Sequence, residues 1–586
     1  MLKSFRKEII PRKEKEMDFE YLLHGIMDTF NQILRANAYE AGFTKIEIDE
    51  RMEHKKQLRK ALRNCAYGDI SSKTYVKDYI KDILVRKYKI NSENIDSIIP
   101  FSTLENLDAM DQFDIMLYEL KKEYGYDALD VLIQRDHLAR AKKDSSMNRY
   151  FEISKEDINR VFQRYYYMNL TFIDKLNILT QRLYQSYKGN GVIDEIRDMK
   201  IDGVSAGVSG IPEGFDIRDK SLSNMPAAYE SVWLFYKGKS IYLSFLSFKS
   251  NKELVRVCKN IYRYNSQGQL SQISGYIVNE MMDGSRVAVA RPPFAESWVF
   301  FIRKFDTVLQ ADMNELITDK NKELPIKLIQ WLVKGCQITG ITGEQGAGKT
   351  TLLISMVSFI NPSYNLRIQE LSYELHLRKI YPNRNIVSFR ETNSTSGQEG
   401  LDFQKKTDGT VSILGEVASA PVANWLVQMS LVASLFTLFT HHAKTTEDLI
   451  MSLRNSLLLE GGFHSERVAT EQVVETINFD VHMKKTEDGH RFIERITEII
   501  PEGKNLGERN TWNALNDLTG SLFSTNDIIV YEGNQYVMKS MPSEGSILKM
   551  KSHLRKEEIE NFEKDLKEWR QLLGKRENES LSIPWL

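Results

Sequence analysis

The sequence of 586 residues predicts an α/β fold with a helical first third. Three observations predict it. Apolar residues recur at helical spacing through the first 190 positions, as over residues 19–34. Short apolar runs that suit buried strands alternate with helical stretches between about 325 and 500. One of these runs, residues 337–341, leads directly into a glycine-rich loop and then into a helical segment.

Length and composition exclude several classes of protein. A chain of 586 residues is too long for one core and indicates three or more units. The 79 basic residues balance 80 acidic ones, which argues against a nucleic-acid scaffold with a large basic face. The three cysteines, Cys65, Cys258 and Cys336, show no paired spacing, so neither a disulfide framework nor a zinc site is predicted. This cysteine usage suits a reducing cytosol.

Membrane association is expected only through a partner. The N-terminal residues lack the apolar segment of a signal peptide. The most apolar stretch, residues 425–439, falls short of the roughly twenty residues that span a bilayer. We interpret it as a buried helix and strand.

Five segments are expected along the chain. Glycine and proline are sparse at first, and Ser154 begins a segment of capping-box type. Glycines, serines and Pro212 then cluster at a boundary, and a hairpin is predicted around Gly238. The segments are an all-helical accessory domain over 1–190, an α/β subdomain over 191–305, a linker over 306–324, a nucleotide domain over 325–500, and a strand and helix extension over 501–586.

A phosphate-binding loop is predicted at residues 343–350, which read Gly-Glu-Gln-Gly-Ala-Gly-Lys-Thr between a strand and a helix. The glycines let backbone N–H groups turn inward, and the helix N-terminus adds its positive end. Lys349 is expected to reach the β- and γ-phosphates, and the Thr350 hydroxyl to hold Mg²⁺. The predicted nucleotide-binding residues are Gly343, Gly346, Ala347, Gly348, Lys349, Thr350 and Thr351. The chain is therefore expected to bind a nucleoside triphosphate.

A carboxylate that holds Mg²⁺ or orients the attacking water is expected at the end of a neighbouring strand. Residues 411–416, Val-Ser-Ile-Leu-Gly-Glu, form such a strand and end in Glu416. Many P-loop proteins end this strand in Asp-Glu, whereas Gly415 precedes the glutamate here. A purely structural acid is the alternative, but a strand-end carboxylate at this distance from a P-loop is usually functional.

Three segments in this order resemble the secretion ATPases of type II and type IV systems. They are a glutamate-rich segment at 368–375, the Gly-Glu strand ending, and residues 436–445 around His442. Residues 283–287, 291–293 and 302–305 are similar to the N-terminal subdomain of the tight-adherence (Tad/Flp) pilus motor, often called CpaF. Residues 488–491 and 496–499 resemble its late hairpin. The resemblance covers about residues 190 to 550.

The resemblance implies a ring, usually a hexamer, of RecA-like domains that hydrolyses ATP with Mg²⁺. Glu416 would position or activate the water and share Mg²⁺ with Thr350. The catalytic residues carried over by position are Glu416, Glu370, Glu374, His442 and Arg303. The two further glutamates would support Mg²⁺ and the water, the histidine would sense the γ-phosphate, and the arginine would reach the phosphates from the N-terminal subdomain.

The resemblance also implies partners and a location. The motor would lie in the cytoplasm and would associate peripherally with the membrane by binding integral inner-membrane platform proteins. It would also assemble with copies of itself. No stable nucleic-acid partner is expected. Individual residues keep plainer alternatives: Glu374 paired with Arg378 on a helix surface, a structural His442, and Arg303 as a solvated strand end.

Two departures from the family pattern leave alternatives open. Ala418 stands where the family usually has an arginine, and Leu371 where an aspartate is common. Their loss would slow hydrolysis. The retained residues favour an active enzyme; they are Lys349, Thr350, Glu416 and His442. Three functions follow: a motor for pilus assembly, protein secretion or conjugative transfer; a nucleotide-binding ring scaffold with little turnover; and a DNA translocase, against which the balanced charge weighs.

Overall fold

The computed structural model describes residues 17–36, 44–101, 103–165, 170–212, 225–265, 268–305, 312–371, 373–392, 395–432, 434–461, 463–486, 489–502 and 522–581. Ser372 and Asp488, which belong to segments quoted above, lie outside these ranges. The chain divides into two compact units, Met1–Thr307 and Val308–Leu586.

Helices make up the N-terminal part of the first unit. Several of these helices begin with a capping box. The side chain of the N-cap residue accepts a hydrogen bond from the backbone N–H of the third helical residue, whose carboxylate accepts one from the backbone N–H of the N-cap residue. The N-cap residues are Thr44, Asp108, Ser154 and Thr171. The start predicted at Ser154 is thereby confirmed. The helices are α1 (Phe19–Arg35), α2 (Lys45–Asn64), α3 (Ile70–Arg86), α4 (Ala109–Tyr124), α5 (Ala128–Arg135), α6 (Lys155–Phe162), α7 (Phe172–Tyr187), α8 (Asp194–Asp198) and α9 (Asn251–Ile261).

A seven-stranded sheet completes the first unit, in the order β3-β6-β5-β4-β9-β8-β7. The predicted hairpin is confirmed: β5 and β6 are antiparallel, and Gly238 between them has φ of 76°. The strands are β3 (Glu152–Ile153), β4 (Gly203–Ala206), β5 (Val232–Tyr236), β6 (Lys239–Leu243), β7 (Tyr276–Glu280), β8 (Arg286–Ala290) and β9 (Val299–Arg303). Two shorter strands, β1 (Lys142–Lys143) and β2 (Arg149–Tyr150), pair with each other.

The expectation of an all-helical region over 1–190 needs correction. The strands β1, β2 and β3 lie within it, and β3 pairs in parallel with β6 of the sheet. One buried cluster extends from Leu22 to Ile302, so the helices and the sheet share a core. Strands of two residues show no readable alternation of apolar and polar positions, which explains why the sequence did not reveal them.

A nine-stranded sheet forms the centre of the second unit, in the order β12-β11-β13-β14-β10-β15-β16-β17-β18. The first six strands pair in parallel and the last three add antiparallel neighbours. The strands are β10 (Thr339–Gly343), β11 (Leu366–Glu370), β12 (Ile386–Arg390), β13 (Val411–Leu414), β14 (Phe436–Thr440), β15 (Phe479–Lys485), β16 (Arg491–Pro501), β17 (Phe523–Glu532) and β18 (Gln535–Met538).

Helices connect these strands. Every residue of β10, β11, β13 and β14 is buried, as in a parallel sheet with both faces covered. The predicted α/β fold class is confirmed. The helices are α10 (Met313–Leu316), α11 (Glu323–Lys334), α12 (Lys349–Val357), α13 (Leu377–Ile380), α14 (Gly397–Gln404), α15 (Ala420–Val432), α16 (Thr446–Leu459), α17 (Glu466–Thr476), α18 (Glu544–His553) and α19 (Lys556–Leu581).

The C-terminal strands belong to the same sheet as the nucleotide-domain strands. β16 crosses the boundary expected at residue 500 and pairs with β17. The linker expected over 306–324 falls partly outside the described residues. In the described part of the chain, no helix is both long enough and apolar enough to cross a membrane.

The parallel register brings the carboxyl ends of several strands to one edge of the sheet. Ile341 of β10 lies opposite Thr440 of β14, and Leu414 of β13 lies opposite Phe439 of β14. The loops that follow β10, β13 and β14 therefore leave the sheet side by side. Ligands of open parallel sheets bind at this edge.

Candidate functional site

The glycine-rich loop joins β10 to α12 by a turn that requires glycine. Gly343 has φ of 133°, and a Cβ there would lie 2.2 Å from the Met483 carbonyl oxygen on the adjacent β15. Gly348 has φ of 99° and caps α12 without a side-chain hydrogen bond. The first N–H groups of α12 therefore have no side-chain cap at this loop. Such an arrangement of backbone donors suits a phosphate group.

The structure places the predicted phosphate-binding lysine inside this loop. Lys349 is buried, and its Nζ donates to the carbonyl oxygens of Gly343 at 2.8 Å and Glu344 at 2.9 Å. Nζ also lies 3.2 Å from Nδ1 of His442. A phosphate that reaches this ammonium replaces one of these acceptors. Of the other predicted contacts, Ala347 is fully buried, whereas Thr350 and Thr351 are half-buried at the start of α12.

Glu416 and His442 come together with Lys349, although they follow different strands. Glu416 lies two residues beyond β13 and His442 two residues beyond β14. Glu416 Oε1 is 3.2 Å from His442 Nε2. Because Nδ1 faces the Lys349 ammonium, it is assigned as the acceptor, and the proton on Nε2 then points to Glu416. A continuous polar chain thus connects the loop carbonyls, Lys349, His442 and Glu416.

Glu370 is held at the end of β11 by backbone donors. The N–H groups of Glu374 and Leu375 both donate to Oε2 at 2.8 Å. Burial nevertheless raises the pKa of Glu370 to about 7. A Cβ on Gly415 would lie 3.1 Å from Cγ of Glu370, and the Gly415 N–H donates to the Gln369 carbonyl at 2.8 Å. A side chain at position 415 would therefore crowd Glu370 where β11 and β13 lie side by side.

Two predicted catalytic residues have a less direct placement. Glu374 contributes its backbone amide to Glu370, and its side chain is half-buried. Arg303 is exposed at the end of β9 and belongs to the first unit. The catalytic roles of both remain predictions.

Sequence reasoning gave no role to Arg491, which the structure places on the glycine-rich loop. Its Nε donates to the Gly346 carbonyl at 2.9 Å, and its Cδ would lie 3.3 Å from a Cβ on Gly348. Arg491 begins β16 opposite Lys485 of β15, the strand beside β10. The late hairpin segment contained this arginine, but only the strand register reveals its contact with the loop.

A buried polar group beneath the loop was also missed. Asp480 of β15 is fully buried and accepts hydroxyl protons from Thr342 at 2.6 Å and from Thr446 at 2.8 Å. Burial raises the pKa of this carboxyl. Thr342 Oγ1 is also 2.8 Å from Nδ1 of His482, whose pKa burial lowers to about 4. This group ties β10 to β15 and to the start of α16.

His441, next to the predicted histidine, has a different environment. Its Nδ1 donates to the Val417 carbonyl at 2.7 Å, and its Nε2 lies 3.0 Å from the Ser452 hydroxyl. Burial lowers the pKa of this imidazole. His441 therefore acts as a neutral link between the ends of β13 and β14, which leaves His442 to face the loop.

The donor set fits ATP and Mg²⁺. The loop offers backbone N–H groups and a lysine, which suit phosphates, and Thr350 and Glu416 offer the oxygen ligands that Mg²⁺ prefers. Among the described residues, Glu416 belongs to no group of three metal-ligating side chains. Mg²⁺ does not require one, because it is usually held by one or two protein oxygens, water and the phosphates.

Comparison with known proteins gives weak structural matches. No family model and no curated protein match the chain. Matching solved structures include the VirB11 ATPase of the Brucella suis type IV secretion system (17% identity, 51% of this chain and 89% of that one, TM-score 0.27). The Legionella pneumophila ATPase DotB matches at 17% identity (51% and 77%, TM-score 0.36), and the pilus retraction motor PilT with bound ADP at 13% (62% and 86%, TM-score 0.36). Values this low leave the function to be argued from the site itself.

Proposed function

We propose that the chain is a Mg²⁺-dependent ATPase that works as the motor of a pilus or secretion system. The observation that carries the proposal is the polar chain from the glycine-rich loop through Lys349 and His442 to Glu416. A loop that binds phosphate would bind nucleotide without any such connection. The connection supplies a carboxylate and a sensor at the position where the terminal phosphate meets water.

Each residue has a task that follows from its contacts. Lys349 and the N–H groups of the loop bind the phosphates, and Thr350 with Glu416 would hold Mg²⁺, which offsets phosphate charge when bound. Glu416 accepts a proton from the attacking water or orients it, because its Oε1 is already held by His442 Nε2. The water oxygen forms a bond to the γ-phosphorus while the bond between the γ-phosphorus and the bridging oxygen breaks. The products are ADP and phosphate.

His442 couples phosphate binding to the carboxylate. Its Nδ1 lies 3.2 Å from the Lys349 ammonium and its Nε2 lies 3.2 Å from Glu416. When Lys349 turns toward a phosphate, the imidazole loses its partner on one side while it keeps Glu416 on the other. The histidine thereby senses the γ-phosphate. Glu370 and Glu374 support the water from the adjacent β11 edge, and Arg491 offsets phosphate charge. The motif resemblance assigns a role in offsetting phosphate charge to Arg303 as well.

We extend the proposal to the assembly. The chain forms a homo-hexameric ring in the cytoplasm, peripheral to the membrane through integral inner-membrane platform proteins, in a system of the Tad/Flp type. Residues 325–500 form the RecA-like ATPase domain, 191–305 its N-terminal subdomain, and 1–190 an accessory region that docks on the platform or regulates ring assembly. The motif resemblance in residues 190 to 550 supports this proposal.

Steady-state ATP hydrolysis by the purified full chain tests the ATPase. We expect Lys349→Ala to lose nucleotide binding, and Glu416→Gln to bind MgATP but to turn it over about a hundredfold or more slowly. Glu471→Gln is the control, because Glu471 forms an exposed ion pair with Arg467 that contributes little. Light scattering with and without ATP measures ring formation in the same samples.

A ring scaffold with little turnover is the second candidate. Ala418 and Leu371 are both exposed near the site, where the family pattern has an arginine and an aspartate. Tight MgATP binding without Mg²⁺-dependent hydrolysis, with the platform partner present, would establish the scaffold. In that case, Glu416→Gln would assemble normally.

A further inference from the structure

A cavity of about 380 Å³ lies in the first unit, whereas the glycine-rich loop belongs to the second. Residues of α3, α4, α7 and α8 line it, and its volume falls in the range of small-molecule sites. Apolar side chains such as Leu117 and Ile178 form part of the wall. We call it the α3–α7 cavity.

Most charged groups of the α3–α7 cavity are paired with one another. The Lys73 ammonium contacts carboxylates of Asp194 at 2.5 Å, Glu195 at 2.7 Å and Asp198 at 2.7 Å. Lys121 contacts Glu195 at 2.6 Å. These three carboxylates already surround a buried cation, so they are satisfied without a metal ion. Another acid of the wall, Asp114, is paired with Arg182 of α7 at 2.8 Å.

Two other lysines of the cavity wall are not part of these ion pairs. Lys77 and Lys81 lie one helical turn apart on α3, on the face that begins with Lys73. Within the described residues, neither makes a hydrogen bond or an ion pair. The wall acid Asp78 also has no ion pair there, and it is exposed. The wall as a whole carries four lysines and four acids, so its formal charge balances. Lys77 and Lys81 are nevertheless without a direct anionic partner among the described residues, and an anion in the cavity could pair with them.

Buried oxygen atoms in the same wall also have no partner. Thr180 of α7 is fully buried, and its Oγ1 makes no hydrogen bond to any described residue. The adjacent Gln181 donates from Nε2 to Asp194 at 2.9 Å, but its buried Oε1 accepts nothing from the described part of the chain. Buried polar atoms nearly always have a partner, because they otherwise lose their hydration without compensation. A molecule in the cavity would supply that partner.

We propose that the α3–α7 cavity binds a small organic anion, whose phosphate or carboxylate pairs with Lys77 and Lys81 and whose hydrogen-bonding group meets Thr180 and Gln181. The apolar wall covers the remainder of the molecule. The site is distinct from the loop that holds Lys349, and its occupant stabilises the helices of the first unit.

The state of Lys77 provides a direct assay. Burial lowers the pKa of its ammonium to about 8 from 10.5; the nearby Glu195 opposes this shift, and Lys73 and Lys121 add to it. At pH 7.5 this gives about 200-fold more neutral amine than an ordinary lysine has. Neutral amines condense with aldehydes, so an anionic aldehyde reports both the amine and the anion site.

Pyridoxal phosphate is the probe, used on the full chain at pH 7.5. The amine adds to the aldehyde and water leaves, and borohydride then delivers hydride to the C=N bond to give a stable secondary amine. Peptide mapping measures each site separately, including Lys349. We expect at least tenfold more labelling at Lys77 than at the exposed Lys252.

Competition identifies the chemistry of the anion. Protection of Lys77 by AMP indicates phosphate recognition, and protection by benzoate indicates carboxylate recognition. Lys77→Met should fold with an unchanged or higher melting temperature, because a half-buried charge without an ion pair is removed. It should also lose the stabilisation that the protecting anion gives the wild type. Labelling of Lys77 no stronger than that of Lys252, or strong labelling that neither anion reduces, overturns the proposal.

Discussion

Replacing Glu370 by glutamine should stabilise the protein relative to wild type at high pH. At low pH the gain in stability should be much smaller. Glu370 accepts two backbone N–H groups, and a glutamine oxygen can accept the same bonds. The difference lies in the charge. Burial raises the pKa of this carboxyl to about 7 from 4.5, so ionisation is less favourable in the folded protein than in the unfolded chain.

The sign and size follow from the two pKa values. Between pH 4.5 and 7 the folded state retains a proton that the unfolded state has released, so stability falls as pH rises through this window. The full span corresponds to about 3 kcal/mol. Between pH 5.5 and pH 8 the wild type loses about 2 kcal/mol of its free energy of unfolding. This loss changes the equilibrium between the folded and unfolded states of the region by a factor of about 30.

Hydrogen exchange of the peptides that cover β11 and β13 measures the effect. The protection of Glu370→Gln relative to wild type should rise about 30-fold between pH 5.5 and pH 8, because the intrinsic exchange rate cancels in the ratio. Glu399→Gln is the control: hydrogen bonds from Ser396 lower the pKa of this exposed carboxyl, so no gain at high pH is expected. A ratio for Glu370→Gln that does not change with pH would refute the burial argument.

Three further substitutions test other contacts of the site. Gly415→Ala should destabilise the protein by about 1 kcal/mol in urea unfolding, since the new Cβ lies 3.1 Å from Glu370 Cγ; an unchanged midpoint would mean that β11 and β13 separate freely. Arg491→Gln should raise the KM for ATP several-fold and change kcat little, because the guanidinium contacts the glycine-rich loop that is proposed to bind phosphate. Unchanged kinetics would restrict Arg491 to a structural role. Thr342→Val should cost about 1–3 kcal/mol, measured by thermal unfolding, because Asp480 loses a buried donor at 2.6 Å.

The core of the candidate site was predictable because its signals are local. The glycine-rich loop needs residues that adopt positive φ and a lysine at the helix start, and both requirements fall within eight consecutive positions. The strand ending at Gly415–Glu416 could be predicted for the same reason, because it too depends on consecutive residues. The structure adds the physical cause of that glycine, because any Cβ at position 415 would lie 3.1 Å from Cγ of Glu370.

Contacts that depend on strand order were not predictable. Arg491 and Lys349 are separated by 142 positions in the chain (491 − 349). The pairing of β16 with β15, which lies beside β10, nevertheless brings Arg491 into contact with the loop that contains Lys349. The short strand β3 joined a sheet from within a helical region, where two residues give no periodic pattern. Such features arise from pairing between distant segments, and local propensity carries no information about partners.

The sequence by itself determined the α/β class, the glycine-rich loop and the candidates Glu416 and His442, because helical periodicity, buried strands and loop chemistry depend on neighbouring residues. Only the tertiary structure decided that Lys349, His442 and Glu416 form one polar chain. It also decided which carboxyl is buried beside Gly415 and which lysines of α3 lack a partner among the described residues. Distances and burial result from the packing of segments far apart in the chain, and these two quantities set the charge and reactivity of a side chain.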